Sequence, residues 1–161
     1  MSTGPRETFL NLKAKGDLAE LRIATDLRRR GHGVAFPFGE DHDFDLILIR
    51  SDRLERVQVK YTQSDGRVVR SKCFSHSLTN GKVRKTKRYT AATVDLLAVY
   101  DMTTDRCFYI PAAELGDGRS SIHLRLTPAR NNQLLRTRSA ECYIAPPEPG
   151  VEPAGIEPAT S

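Results

Sequence analysis

Apolar residues near the start of the chain recur at helical spacing. Leu10, Ala14, Leu18, Leu21 and Thr25 form one stripe, and Glu20, Ile23, Ala24 and Leu27 extend it sideways. This pattern predicts an amphipathic helix over residues 8–30. Gly31 stops it, after Arg28, Arg29 and Arg30, whose charges suit the negative end of a helix. Beyond that point the period falls to two. Residues 33–38 read as a short strand, residues 43–50 as a second and residues 53–62 as a third. The turn-prone Ser51 and Asp52 make the last two a hairpin. Residues 68–74 fit a strand and Asn80-Gly81 a loop, but the pattern places nothing else between 63 and 90. Residues 94–100 and 106–110 read as paired strands, 111–115 as one helical turn, 122–126 as a strand and 128–136 as a helix. A helix followed by mixed strands indicates an α/β or α+β domain.

Composition adds boundaries to this picture. A chain of 161 residues, 39% of them hydrophobic, can bury one core without covalent staples. At Ala145 the composition changes, because Pro146, Pro147, Pro149, Pro153 and Pro158 are five of the nine prolines. The expectation is one domain over residues 1–144 and a disordered tail over 145–161. The longest aliphatic run, Leu46-Ile47-Leu48-Ile49, is far short of the roughly 20 residues needed to span a bilayer. The segment from Met1 to Arg6 lacks the apolar core of a signal peptide. A cytoplasmic protein with no membrane partner is therefore expected. Cys73, Cys107 and Cys142 are odd in number and lack C-x-x-C spacing, which argues against a disulfide framework or a structural zinc site.

Charge is segregated along the chain. Residues 66–89 contain Arg67, Arg70, Lys72, Lys82, Arg84, Lys85, Lys87 and Arg88 and no acid. The net charge of the whole is +5, so the remainder is acidic. Arg119, Arg125, Arg130, Arg136 and Arg138 form a later acid-free stretch, whereas Glu40, Asp41, Asp43 and Asp45 cluster. A basic surface beside an acidic spot suits a protein that grips a polyanionic backbone and holds a divalent cation against it. The basic segment is long enough to follow double-stranded DNA, with its cations on phosphates and base edges. Tyr89 and Phe74, within it, fit a core better than a nucleic-acid surface.

The candidate chemistry lies where charge interrupts apolar rows. Glu20 sits at the edge of the helix's apolar stripe and needs a partner there. A period of two from residue 44 puts Asp45, Ile47 and Ile49 on one face and Phe44, Leu46 and Leu48 on the other. In the next strand Val57, Val59 and Tyr61 share a face, so Gln58 and Lys60 point the other way together. Stacking the hairpin on the helix would bring Glu20, Asp45, Gln58 and Lys60 into one pocket. Its donors are all oxygen, which favours Mg²⁺, or Mn²⁺ as a substitute, over zinc. A cation there would polarise a phosphoryl oxygen and activate water, with Lys60 orienting that water or offsetting charge. Asp43 is close enough in sequence to assist, although the strand period puts it on the same side as Asp45, one pair earlier, in a supporting place at best.

Glu20, then Phe44-Asp45, then Gln58-Val59-Lys60 resembles the PD-(D/E)XK nuclease core, in which a helix acid, a strand acid and a following acid-X-Lys build the metal site. The segments Lys15-Gly16-Asp17-Leu18-Ala19-Glu20, Gly39-Glu40-Asp41 and residues 57–62 are similar to the group I intron-associated homing endonuclease branch. So are residues 94–100 and 107–111. The resemblance covers residues 8–144. It implies a restriction-endonuclease-like core and a metal-dependent DNA endonuclease of a mobile element. Glu20, Asp45, Gln58 and the Val59 backbone carbonyl would serve the metal, and Lys60 would be the catalytic amine. It also implies a homo-oligomer, dimer or tetramer, since cutting both strands by symmetry needs two active sites.

The chain departs from that pattern twice. Phe44 replaces a proline that carries no chemistry. Gln58 replaces the second acid of the hairpin, removing one negative charge, although homing endonucleases of this branch include members with glutamine there. The core alone does not choose among substrates. A Holliday-junction-resolvase-like or restriction or repair nuclease shares it, and so does a DNA-binding relic without catalysis.

Overall fold

The computed structural model describes residues 10–128 and 138–148. The first element is helix α1, Leu12–Arg29, opened by Asn11, whose side chain accepts the Ala14 N–H at 2.8 Å. That bond satisfies one of the otherwise unpaired donors of the first turn. The buried face of α1 is Ala19, Ile23 and Leu27, not the predicted row through Leu10 and Leu21; Leu21 is 62% exposed. The i, i+4, i+8 row that faces the sheet is therefore the one flanking Glu20.

Ten strands follow among the described residues: β1 Gly33–Ala35, β2 Leu46–Ile49, β3 Leu54–Thr62, β4 Val68–Lys72, β5 Phe74–Thr79, β6 Lys82–Arg88, β7 Leu96–Asp101, β8 Arg106–Pro111, β9 Ser121–Arg125 and β10 Arg138–Ser139. Single 3₁₀ turns, Ala112–Leu115 and Ala140–Tyr143, follow β8 and β10. The main sheet has the order β1-β2-β3-β7-β8, parallel between β3 and β7 and antiparallel elsewhere. A smaller sheet runs β10-β9-β4, and β5 and β6 form a separate two-stranded ribbon. The mixed α/β class and both expected strand pairs are present. The helix expected over 128–136 falls at 129–136 outside the described residues.

The core is double, one cluster on each face of the main sheet. Ala19, Ile23 and Leu27 of α1 pack on Leu46, Leu48, Val57, Val59, Leu96, Ala98, Tyr100 and Tyr109. On the other face Leu97, Val99, Phe108 and Ile110 meet Val69, Ile122 and Leu124 of the smaller sheet. The interior strand β7, flanked by β3 and β8, is buried throughout, which is why it reads as a continuous apolar run instead of an alternating one. Phe44 packs against the second cluster, opposite the face expected from its spacing to Leu46. It precedes β2, so the strand's alternation does not reach it.

The expected boundary after residue 144 falls short of packed chain. Pro146 is buried, and Arg50 donates to the Pro147 carbonyl at 2.7 Å and lies 3.6 Å from Glu148. Residues 149–161 lie outside the described residues.

Candidate active site and nucleic-acid interface

Asp45 bonds directly to Gln58 and to the Val59 backbone, and its charge bears on both Glu20 and Lys60. Its N–H donates to the Val57 carbonyl at 2.9 Å, extending the β2–β3 ladder by one bond and fixing its backbone at the strand mouth. Its Oδ2 accepts the Val59 N–H at 2.8 Å and Gln58 Nε2 at 2.5 Å. The same Gln58 nitrogen reaches the Val59 carbonyl at 3.2 Å. Gln58 is buried, so these bonds replace the water that its amide gives up.

Lys60 approaches from the layer away from α1. Alternation along β3 turns Val57 and Val59 to the helix and leaves Gln58 and Lys60 beside Leu97 and Val99 of β7. The Lys60 ammonium stands 5.0 Å from the centroid of the buried Tyr89 ring. Burial raises the Asp45 pKa, while the Val59 N–H and the Lys60 charge oppose that rise.

Glu20 approaches from the helix layer. Burial, with the charges of Asp45 and Asp17, pushes its pKa up to about 7, with Lys13 acting the other way. The expected single pocket between helix and hairpin is thus corrected. The valines of β3 need the helix's apolar face, which sends Gln58 and Lys60 to the far side. Asp45, immediately before β2, is charge-coupled to Glu20 of the helix layer and to Lys60 of the other.

The predicted basic segment divides in two. Arg67, Arg70 and Lys72 are exposed on or just before β4, with Asp65 3.7 Å from Arg70. Lys82, Lys85, Lys87 and Arg88 are exposed on the β5–β6 ribbon; the side chain of Arg84 lies outside the described residues, as do Arg130 and Arg136. Asn80 and Gly81 turn the ribbon with φ of 52° and 74°, the pair of positive values that a two-residue hairpin turn requires. Opposite one another across the ribbon stand Ser75 and Lys87, and Ser77 and Lys85. One ribbon face therefore carries small polar residues and lysines. Lys87 is tied back to the acidic region by an ion pair with Asp43 at 3.0 Å. This ribbon was not legible as an element in the sequence, although Asn80-Gly81 is the hairpin signal that would have found it.

The sequence profile of the PD-(D/E)XK endonucleases matches residues 10–146. The chain belongs to the PD-(D/E)XK endonuclease family. Among solved structures, the bacterial homing endonuclease I-Ssp6803I is similar in fold, with a TM-score of 0.61 and 22% identity over 83% of this chain and 88% of that one. No curated protein matches.

PD-(D/E)XK nucleases in general use divalent metal ions, and the donors here fit one. Glu20 and Asp45 both have raised pKa values because their charges are buried and incompletely offset, which a bound cation would relieve. The Val59 carbonyl supplies a neutral oxygen, and turning over the Gln58 amide would bring its Oε1 to the same point. All are hard donors, as Mg²⁺ or Mn²⁺ requires. Among the described residues no three His, Cys, Asp or Glu side chains converge as a metal cluster, so a cation at this PD-(D/E)XK centre would depend on neutral oxygens and water.

Proposed function

We propose that this protein is a divalent-cation-dependent DNA endonuclease of the homing type, using Mg²⁺ with Mn²⁺ as a substitute. The observation that carries the reading is Asp45, bonded to Gln58 and charge-coupled to both Glu20 and Lys60. Glu20, Asp45, the Val59 carbonyl and the Gln58 amide would hold the cation, which would polarise a phosphoryl oxygen and lower the pKa of bound water. Lys60 orients the attacking water or offsets the negative charge that builds on the phosphate. Hydrolysis adds water across one P–O ester bond and leaves a phosphate monoester and a hydroxyl.

Double-stranded DNA is the substrate best suited to the surface. A two-stranded ribbon fits the major groove, and the exposed lysines and arginines of the ribbon and β4 suit phosphates. The fold shared with a protein named as a bacterial homing endonuclease favours that biology. Cutting both strands by symmetry calls for at least two copies, so a homo-oligomer, dimer or tetramer, is part of the proposal.

Incubation with supercoiled plasmid and Mg²⁺ or Mn²⁺ tests the reading. Nicking is expected, reduced at least about 100-fold in Asp45→Ala and in Lys60→Ala. Salt-sensitive DNA binding with no nicking under either cation would overturn it in favour of a DNA-binding protein without catalysis. Faster cutting of a four-way junction than of linear duplex would replace the homing reading with a junction-specific nuclease.

A further inference from the structure

We propose that Tyr89 is a positioning residue for the Lys60 amine, holding it toward Asp45 from the root of the DNA-binding ribbon. The inference rests on the nuclease reading above. A lysine side chain has a four-carbon stem and many rotamers, so a catalytic amine on a strand needs something that selects one of them. At Lys60 the Tyr89 ring is in that position, with its centroid 5.0 Å from Nζ. The ring face attracts the ammonium without placing an opposite charge beside it, so the amine keeps its positive charge for substrate and water.

The ring is itself immobilised. Tyr89 is 3% exposed and belongs to the core cluster that includes Leu97 and Val99, and Val99 is the ladder partner of Lys60. Its N–H donates to the Cys73 carbonyl at 3.0 Å. Cys73 immediately precedes β5 and Tyr89 immediately follows β6, so this bond closes the base of the ribbon. Close by, Lys87 of the ribbon is ion-paired with Asp43, two residues before Asp45. The ribbon that meets DNA and the amine that serves the chemistry are therefore anchored through one residue.

Two substitutions separate positioning from simple packing. Tyr89→Phe keeps the ring face, and Tyr89→Leu keeps apolar volume without it. With plasmid and Mg²⁺, Tyr89→Leu is expected to lower kcat about ten-fold with KM for DNA within about two-fold, and Tyr89→Phe to stay near the parent. Independently of activity, NMR of the metal-free protein should show the Lys60 ε-methylene protons upfield of other lysines. Ring current produces that shift, which should persist in Tyr89→Phe and vanish in Tyr89→Leu. Equal kcat in parent and Tyr89→Leu, or an equal fall in both variants, would overturn the proposal. So would an ordinary Lys60 shift in the parent. Should the parent fail to nick DNA at all, the nuclease reading falls, and the NMR comparison still decides whether Tyr89 places Lys60.

Discussion

Gln58 Nε2 lies 2.5 Å from Asp45 Oδ2 and also contacts the Val59 carbonyl. An amide N–H thus stands between two oxygens that a cation would share, acting as a neutral plug. Gln58→Glu would put two carboxylates face to face at this point, where like charges raise pKa values and destabilise the metal-free fold. The expected outcome is a lower melting temperature without metal and Mg²⁺ binding at least about ten-fold tighter, each ten-fold step being about 1.4 kcal/mol. Calorimetric titration with Mg²⁺ and thermal melting of both proteins check this. Unchanged affinity in Gln58→Glu would show that position 58 does not face the cation.

The ribbon lysines should act through phosphate charge. Lys87 and Asp43 are both partly exposed, 48% and 36% by side chain, so their ion pair is worth little in water and a phosphate can replace the carboxylate. Lys85→Ala and Lys87→Ala are each expected to weaken binding to unrelated duplexes about equally. Each should also reduce the slope of log affinity against log salt by about one. Fluorescence anisotropy across a salt series measures both quantities. A slope unchanged in both variants would place the DNA elsewhere.

These two sites differ in how well the sequence revealed them. Asp45, Gln58 and Lys60 were legible because charge or amide interrupts rows of valine, leucine and isoleucine, where burial sets a demand that sequence shows directly. Their arrangement was not, since periodicity says which residues share a face but not which face the helix covers. Leu21 illustrates this: it continues a good helical stripe yet is exposed, and Ala19, Ile23 and Leu27 do the packing. The ribbon is hidden in the sequence for another reason. Its residues Ser75, His76, Ser77, Lys85, Thr86 and Lys87 give no apolar alternation, and what defines it is the backbone ladder closed by the Asn80-Gly81 turn. Tyr89 is core, as its residue type suggests, and only its place beneath Lys60 adds a role.

Glu20 gives the stability of the metal-free protein a pH dependence of defined sign. Its pKa is pushed up from the usual 4.5 to about 7 on folding, first by burial and then by Asp45 and Asp17. Between those values the folded state holds more protons than the unfolded one, so this group makes stability fall as pH rises across that window. Below 4.5 both states are protonated and the contribution is flat. Glu20→Gln, which stays neutral, should remove that part of the slope and melt higher than the parent at pH 8. Melting curves from pH 4 to 8 in chelator test it; parallel curves for the two proteins would mean that Glu20 does not carry this burden.

Asp101 works with the opposite sign. It is fully buried at the end of β7, where its carboxylate accepts from Ser64 N and Ser64 Oγ at 2.8 Å each, from Thr104 Oγ1 at 2.6 Å and from Thr103 N at 3.3 Å. Those donors outweigh its burial and lower its pKa below 3.8. The stability it contributes is present above about pH 4 and is lost as pH falls through the lowered folded value. An asparagine offers one acceptor oxygen in place of two and turns an N–H toward groups that are already donors. Asp101→Asn is therefore expected to cost about 2–4 kcal/mol at pH 7 and less at pH 3. The damage should be concentrated where this carboxylate joins the residues after β3 to the β7–β8 turn, so amide exchange at Ser64 and Thr103 should quicken before that of the α1 backbone. Urea unfolding at the two pH values measures the first effect, and a cost that does not shrink in acid would mean that charge is not what these donors recognise.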